Sequence, residues 1–435
     1  MYKINHANIK EWAKNYDGPL FDGILCDPPY ELGFMGKSWD SSGIAFDTEM
    51  WADILKLLKP GAHLLAFSGS RTYHRMAVAI EDAGFEIRDM IEWVYGSGFP
   101  KSHNVANAVD KLGGASNRGH AISSGSQIHP TTGKKRANGE LLPAYKARTE
   151  AGQVWEGYGT ALKPAHEPCV LARKPISEKN IALNVLKHGT GGLAIDATRI
   201  PTTETWKNAA QDIRGGNLMG KAGRHPNLIK ESNSLGRFPS NLILDGSDEV
   251  EAVFPQTKSG KAGIKTRHNI GFHSDNEIYG NGVGSYDCPE YGDSGSASRY
   301  FYTAKASKRE RNAGLEGFED IRGGAMQANT TNKMQLGGAS LKGEHKEIQP
   351  TKNGHPTVKP LSLTKYLATL IKPPTGGRLL VPFSGSGSEM IGALQAGWEY
   401  VEGVELTEEY IPIAEARIKY WTERVKEEDK QVRLV

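Results

Sequence analysis

Cysteine is scarce in this chain of 435 residues, and its three cysteines, Cys26, Cys169 and Cys288, lie far apart. The absence of a Cys-x-x-Cys pair argues against a zinc ribbon or a disulfide framework and fits a reducing compartment. No segment approaches the run of about 18 apolar residues that a membrane helix needs, and residues 1–10 lack the apolar core of a signal peptide. These absences predict a soluble cytoplasmic protein with no bound metal and no membrane partner.

A strong excess of charge of either sign is also missing. The chain has 53 Lys and Arg against 50 Asp and Glu, a net charge of +3, which by itself indicates neither nucleic acid nor membrane binding. Residues 101–165, however, contain nine basic and four acidic residues. A loop-rich segment with this local surplus suits a phosphate backbone, although a solvated insertion would have the same composition.

What the sequence does contain is a regular alternation of strand and helix patterns at both ends. Near the start, the patterns predict strands over residues 21–26, 63–67 and 85–94 and helices over 48–58 and 71–83. Further along, they predict strands over 167–172, 193–195, 378–383 and 399–405 and helices over 361–371, 388–396 and 407–421. This alternation predicts an α/β fold, doubly wound around a mostly parallel sheet.

Glycine is abundant, with 51 residues, and one group of glycines lies where a predicted strand passes into a helix. The sequence there is Phe383-Ser384-Gly385-Ser386-Gly387, and glycines at such a turn let a ligand approach the main-chain N–H groups. The next predicted strand ends at Glu405, about 20 residues on, where doubly wound folds bind ribose hydroxyls. Met390 replaces the third glycine of the dinucleotide fingerprint. The pattern therefore favours a mononucleoside cofactor such as S-adenosylmethionine, the alternative being a tight turn without a ligand.

A second motif, Asp27-Pro28-Pro29-Tyr30, follows the first predicted strand. The two prolines restrict the backbone, so the Asp27 carboxylate and the Pro28 carbonyl can act as preorganised acceptors, and the Tyr30 ring can stack. Two acceptors and an aromatic face suit a planar heterocycle with an exocyclic amino group. Accepting both N–H hydrogens would localise the nitrogen lone pair for attack on a methyl sulfonium. A structural Asp-Pro turn is the alternative.

Together, the two motifs resemble those of the amino-group DNA methyltransferases, which make N6-methyladenine or N4-methylcytosine. The catalytic motif precedes the cofactor motif, as in the β class, and residues 33–40, 166–175 and 299–306 also look like this family, especially its phage and prophage members. Residues 355–360 resemble a segment that helps to close the methionine pocket. The chain departs from the family at Val381, where relatives usually carry Asp.

The resemblance implies direct methyl transfer from S-adenosyl-L-methionine to the N6 amino group of a flipped adenine in double-stranded DNA. It leaves open an N4-cytosine, RNA or protein-amide substrate, a catalytically weak DNA-binding relative, and a homodimer. The residues expected to be catalytic are Asp27, Pro28, Pro29 and Tyr30. Those expected to bind the cofactor are Asp27, Thr357, Lys359, Phe383, Ser384, Gly385, Ser386, Gly387 and Glu405. Those expected to bind DNA are Lys37, Trp39, Lys134, Lys135 and Arg136.

The expected organisation is one catalytic domain formed from both ends of the chain. Residues 1–100 would form its N-terminal half with the catalytic loop, and residues 351–435 its C-terminal half with the cofactor site. Residues 166–200 would add core strands. Residues 101–165 would be a basic insertion and residues 201–350 a target-recognition region.

Overall fold

The computed structural model describes residues 1–33, 38–96, 98, 102–114, 145–202, 236–258, 294–304, 308–319, 352–355 and 357–432. The chain forms two compact units. The first comprises Met1–Gly96, Glu167–Ser307 and Val358–Val435, and the second comprises Ser97–His166 and Lys308–Thr357.

The helices and strands follow one another along the chain. Up to residue 200 they are β1 (Tyr2–His6), α1 (Ile9–Asn15), β2 (Phe21–Cys26), α2 (Thr48–Lys56), β3 (Leu58–Phe67), α3 (Tyr73–Asp82), β4 (Glu86–Val94), α4 (Val105–Leu112), α5 (Glu150–Val154), β5 (His166–Arg173) and α6 (Ile181–His188). Beyond it they are β6 (Leu242–Leu244), α7 (Asp248–Glu251), β7 (Gln256–Lys258), β8 (Ser294–Ser296), β9 (Tyr302–Thr303), α8 (Lys308–Asn312), α9 (Leu361–Leu370), β10 (Arg378–Pro382), α10 (Ser388–Gln395), β11 (Tyr400–Glu405) and α11 (Tyr410–Val432).

The first unit is built on a sheet that has nine strands within the described residues, in the order β1-β11-β10-β2-β3-β5-β4-β6-β9. Neighbouring strands from β1 through β11, β10 and β2 to β3 are parallel, whereas β5 runs antiparallel to β3. β6 lies parallel to both β4 and β9. β6 and β9 fall inside the 201–350 segment expected to recognise the target, so parts of that segment belong to the large sheet.

Apolar side chains fill both faces of this sheet. Along β2, Leu25 belongs to one buried cluster, and its neighbours Ile24 and Cys26 belong to another, as the alternation of side chains in a strand requires. α9 and α10 pack into the first cluster, and α2 and α3 into the second. Helices therefore cover both faces, and the doubly wound, mostly parallel fold predicted from the sequence is confirmed.

The start of β3 differs from the prediction. The Lys59-Pro60-Gly61 sequence indicates a break, but the strand begins at Leu58 and runs through it. Pro60 lacks an N–H and is tolerated because the β2–β3 register shifts between Phe21 and Gly23, which is an irregularity of the kind that accommodates proline. The Pro60 carbonyl accepts hydrogen bonds from the side chains of Asn184, at 2.9 Å, and Thr190, at 2.6 Å.

Two further predictions are wrong in detail. The last helix begins at Tyr410 rather than Thr407. The residues before it form a turn with i→i+3 bonds, in which the Tyr410 N–H donates to the Thr407 carbonyl and the Ile411 N–H donates to the Glu408 carbonyl. Residues 193–195 are not a strand. The Ala194 N–H donates instead to the Leu370 carbonyl, at 2.8 Å, at the end of α9.

The second unit contains α4, α5 and α8. Its centre is the fully buried Asp110, whose carboxylate accepts from the hydroxyls of Thr149 and Tyr145 and from the N–H groups of Arg148 and Thr149. The Thr149 and Tyr145 hydroxyls and the Arg148 N–H hold the pKa of Asp110 well below its usual range. This carboxylate therefore ties α4 to the chain that leads into α5.

Candidate active site

The catalytic and cofactor motifs leave the sheet side by side. β2 and β10 are adjacent parallel strands, with Leu379 opposite Gly23 and Leu380 opposite Ile24. β2 ends at Cys26 and β10 ends at Pro382. The two motifs therefore begin at the same edge of the sheet, the carboxyl edge at which open α/β sheets bind their ligands.

The Asp27 carboxylate has two different oxygens. Oδ2 lies 2.7 Å from the Lys359 ammonium, whose side chain is only 5% exposed. Oδ1 is buried and has no hydrogen-bond partner among the described residues. An unsatisfied buried acceptor costs free energy, so Oδ1 is an acceptor available to a ligand N–H.

Lys359 holds three groups of the site together. Besides Asp27, its Nζ lies 3.1 Å from Glu167 Oε2 and 2.9 Å from the Tyr30 hydroxyl oxygen. Burial lowers the pKa of Lys359, but the Asp27 and Glu167 carboxylates more than offset this, so the pKa is raised above its ordinary value. The ammonium therefore remains charged between the two carboxylates.

Tyr30 is anchored at both ends. Its hydroxyl donates to Glu167 Oε2 at 2.9 Å, and its backbone carbonyl accepts from the Thr72 hydroxyl at 2.8 Å. Burial and the Asp27 and Glu167 carboxylates raise the pKa of Tyr30 well above its usual value, so the phenol is neutral at pH 7. The ring is held in one orientation and is partly exposed, which suits a stacking surface.

The residue after this motif has a strained backbone. Glu31 has a φ of 55°, which is uncommon for a residue other than glycine. Its N–H donates to the buried Asp40 carboxylate at 3.0 Å, and its own carboxylate accepts from the Gly43 N–H at 2.8 Å. Side chains thus impose the conformation, as is typical of strained residues at functional sites.

The cofactor motif is shaped by its backbone. Phe383, Gly385 and Gly387 have φ values of 63°, 48° and 82°, so the chain turns sharply before α10. The Gly385 N–H donates to Glu405 Oε2 at 2.7 Å. With the Thr407 N–H on the other oxygen, both Glu405 oxygens accept a bond from the protein and keep further lone pairs for a ligand.

Arg417 of α11 secures the other side of this loop. Its fully buried side chain donates to the Ser386 carbonyl at 2.5 Å, to the Ser386 hydroxyl at 2.9 Å and to the Ser388 hydroxyl at 3.2 Å. Ser384 is 1% exposed, and its Oγ is buried without a partner among the described residues. The loop therefore combines a fixed backbone with an unsatisfied polar atom.

Comparison with known proteins identifies the family of this chain. The family model described as a DNA methylase, of the N6/N4 methyltransferases, matches residues 21–416. The chain belongs to this family. The recognition made from the two sequence motifs is confirmed, and the cofactor of the family is S-adenosyl-L-methionine.

Individual relatives are distant. The chain is 22% identical over 250 residues to the type II methyltransferase M.HindIII of Haemophilus influenzae, covering 53% of this chain and 65% of that relative. It is similar to the crystal structure of an M1.HpyAVI–SAM complex, with 14% identity, a TM-score of 0.37 and coverage of 96% and 99% of the two chains. It is also similar to the cytosine-N4-specific PvuII DNA methyltransferase, with 10% identity, a TM-score of 0.39 and coverage of 96% and 86%. These similarities do not determine the target base.

The site fits the cofactor of this family chemically. The partly buried Asp27 and the buried Glu389 provide carboxylates near the cofactor loop, and the cofactor carries a sulfonium and an ammonium cation. Glu405 offers acceptors for hydroxyl groups at the end of β11. The unsatisfied Asp27 Oδ1 and Ser384 Oγ are polar atoms that a bound ligand would complete.

The remaining residues that the sequence predicts to bind the cofactor or DNA are not shown to lie at the site. Thr357 is exposed and belongs to the second unit, where its carbonyl contacts His355. Trp39 lies in a 3₁₀ turn over Ser38–Ser41. Lys37, Lys134, Lys135 and Arg136 lie outside the described residues. The roles of these residues stay predictions.

Pro28 is buried and Pro29 is partly buried, and the acceptor role of the Pro28 carbonyl stays a prediction. Val381 is fully buried among apolar residues of the sheet. Cys26 and Cys169 are buried free thiols, and Cys288 lies outside the described residues. Within the described part of the chain, no cluster of His, Cys, Asp and Glu has the arrangement of a metal site.

Several residues of the site escaped the sequence analysis. Glu167 and Asp40 appear in the sequence only as members of family-like stretches, and Thr72 and Arg417 stand in no motif. Glu167, Thr72 and Arg417 carry no local pattern, since each acts through a contact with a residue far away in sequence. A further finding concerns the helices: those of the described residues include none long and apolar enough to cross a membrane.

Proposed function

We propose that this chain transfers a methyl group from S-adenosyl-L-methionine to the N6 amino group of adenine in double-stranded DNA. The observation that supports this most directly is that the two oxygens of the Asp27 carboxylate differ in their contacts. Oδ2 is paired with Lys359, whereas Oδ1 is buried without a partner among the described residues. A carboxylate held in this way is an acceptor for one N–H of an amino group that enters the site.

The amino nitrogen of adenine is a poor nucleophile because its lone pair is conjugated with the ring. In the proposed step, Asp27 Oδ1 accepts one amino N–H, the Pro28 carbonyl accepts the other, and the lone pair becomes localised. Tyr30 stacks on the base, which has to leave the duplex to reach the sheet edge. The bound cofactor supplies the methyl group, attached to a sulfonium.

As the nitrogen–carbon bond forms, the sulfur–carbon bond breaks and its electron pair stays on sulfur, so that neutral S-adenosylhomocysteine is the leaving group. The amino nitrogen becomes cationic and must lose a proton. Asp27 Oδ1 lies on the N–H that it accepted, so it receives this proton and passes it to solvent when the product leaves. Lys359 remains charged and paired with Oδ2, which holds the Asp27 carboxylate in place with Oδ1 free for the amino group. The step needs no covalent enzyme intermediate, consistent with the buried, unreactive thiols of Cys26 and Cys169, whose pKa values burial raises.

Adenine is preferred to cytosine because Asp-Pro-Pro-Tyr resembles the motif of the adenine enzymes, whereas N4-cytosine enzymes more often carry Ser-Pro-Pro-Tyr. We further propose that residues 101–165 bind phosphates through their positive charge and that the parts of 201–350 outside the sheet read the target. Binding should then weaken steeply with salt.

The test is to incubate unmethylated double-stranded DNA with the protein and cofactor, digest it to nucleosides and weigh them. N6-methyldeoxyadenosine is expected with the wild type, and far less in the same time with Asp27→Asn. If N4-methyldeoxycytidine is found instead, the target base is cytosine and not adenine. No methylated nucleoside from any DNA, with the cofactor bound, would refute the proposal.

A further inference from the structure

Glu389 is a buried carboxylate that the proposed methyl transfer does not use. It lies in the first turn of α10, directly after the cofactor loop, and is 5% exposed. Its charged neighbours come from three other elements: Asp27 after β2, Lys359 before α9 and Arg417 in α11. The Cys26 thiol also faces it.

The protein leaves this carboxylate poorly compensated. Lys359 forms its ion pairs with Asp27 and Glu167, and Arg417 donates to Ser386 and Ser388. Apart from its own backbone N–H, no described group donates a hydrogen bond to Glu389. Burial and then the Asp27 carboxylate raise the pKa of Glu389 to about 7, although Lys359 and Arg417 oppose this. A cationic ligand would complete the site.

The three carboxylates around the cofactor loop lie at different places in the fold. Glu405, at the end of β11, would serve the ribose of a bound cofactor, and Asp27 would serve the nitrogen that attacks the methyl group. Glu389 would then serve the amino-acid end. The N-terminus of α10 favours an anion and Glu389 favours a cation, so together they match an end that carries both a carboxylate and an ammonium group.

We propose that Glu389 binds the α-ammonium group of S-adenosyl-L-methionine and thereby replaces the acidic residue that this chain lacks at Val381. Val381 is fully buried and apolar, so it offers the cofactor no charge. The proposal rests on the cofactor occupying the loop of residues 383–387 but is independent of which base is methylated.

The first test is calorimetric binding of S-adenosylhomocysteine and of its analogue lacking the α-amino group. Neither ligand has a sulfonium group, so the ratio of their affinities measures the contribution of the α-ammonium group to binding. A charged hydrogen bond of this kind corresponds to a preference of roughly tenfold to hundredfold. We expect that preference in the wild type, a ratio near one in Glu389→Gln, and the wild-type ratio in Glu415→Gln, an exposed carboxylate of α11. An unchanged ratio in Glu389→Gln would overturn the proposal.

The second test needs no variant. At pH 6 Glu389 is largely protonated in the free protein, because this pH lies below its pKa of about 7, and binding an ammonium group favours its ionised form. Calorimetry in two buffers of different ionisation enthalpy should therefore show proton release with S-adenosylhomocysteine and much less with the analogue. Equal proton release would contradict the proposal. Neither experiment uses DNA, so failure here is distinct from failure of the adenine assignment.

Discussion

The two loops of the candidate active site lie at the ends of adjacent strands but differ in what determines their shape. The Asp27–Tyr30 loop depends on ionic and hydrogen-bonded side chains, since Lys359 and Glu167 hold Asp27 and Tyr30. The 383–387 loop also accepts side-chain bonds, but its sharp turn depends on a backbone with three positive φ values. The first should therefore be sensitive to the loss of a charge, and the second to the addition of a side-chain carbon.

The largest effect is expected for Asp27→Asn. The amide keeps the shape of the side chain but removes the charge, so the rate of methylation should fall roughly 10²- to 10⁴-fold, the range for loss of a proton acceptor. Lys359 keeps Glu167 as its partner, so folding should persist. Single-turnover methylation and thermal unfolding measure the two quantities. Asp17→Asn, at an exposed carboxylate before β2, is the control, and a fully active Asp27→Asn would remove Asp27 from the mechanism.

Gly387→Ala tests the other loop. A left-handed conformation costs a residue with a Cβ about 1–2 kcal/mol. The new Cβ would also lie 3.2 Å from Ala414 Cβ and 3.3 Å from Ile418 Cδ1, which adds overpacking of about 1–3 kcal/mol. Gly43 has a similar φ of 77° with no atom within 4 Å of the added carbon, so Gly43→Ala shows the conformational cost alone. Denaturant unfolding should show the larger loss for Gly387→Ala, and equal losses would mean that α11 does not constrain the loop.

Lys359→Met sharpens the description of the first loop. Removing the ammonium leaves Asp27 and Glu167 without their shared cation. The Asp27 carboxylate then loses the ion pair that fixes its position, and misplacement of a catalytic group can slow a reaction about 10²-fold. The single-turnover rate of methylation should therefore fall roughly tenfold to hundredfold, with partial recovery in Lys359→Arg. An unchanged rate in Lys359→Met would show that Lys359 does not position Asp27.

The smallest effect is expected for Glu405→Gln. The variant replaces charged acceptors for a ligand hydroxyl with a neutral one, which loses about 1 kcal/mol and weakens cofactor binding about fivefold. Calorimetry on the DNA-free protein measures this, with the exposed Glu408→Gln as the control. Equal binding by Glu405→Gln and wild type would show that Glu405 serves only the loop.

The secondary structure that the sequence predicts most accurately is that determined by a local pattern of residues. The strand over Phe21–Cys26 matches the structure at both ends, because an apolar run followed by two prolines has few alternatives. β1, α1 and α6 were not predicted. β1 is short and partly exposed, and it becomes a strand by pairing with β11, at the other end of the chain.

The site shows the same limit. Asp27 and the glycine loop carry recognisable motifs, but the partners that define their chemistry lie elsewhere in the chain. Arg417 is one of many charged residues in a long helix, and only the folded chain shows that it is fully buried against Ser386. Likewise, Glu167 becomes informative only when β5 brings it beside Tyr30.

The ion pair between Asp27 and Lys359 joins residues 332 positions apart. At a synthesis rate of about 5–20 residues per second, roughly 15–70 s separate the two residues on the ribosome. During that interval β1 and β2 also lack the strands that stand between them in the finished sheet, since β10 and β11 are made later. A chain still being translated therefore has Asp27 but lacks both Lys359 and the cofactor loop. Under the proposed function, methylation begins only with molecules whose synthesis has passed that loop.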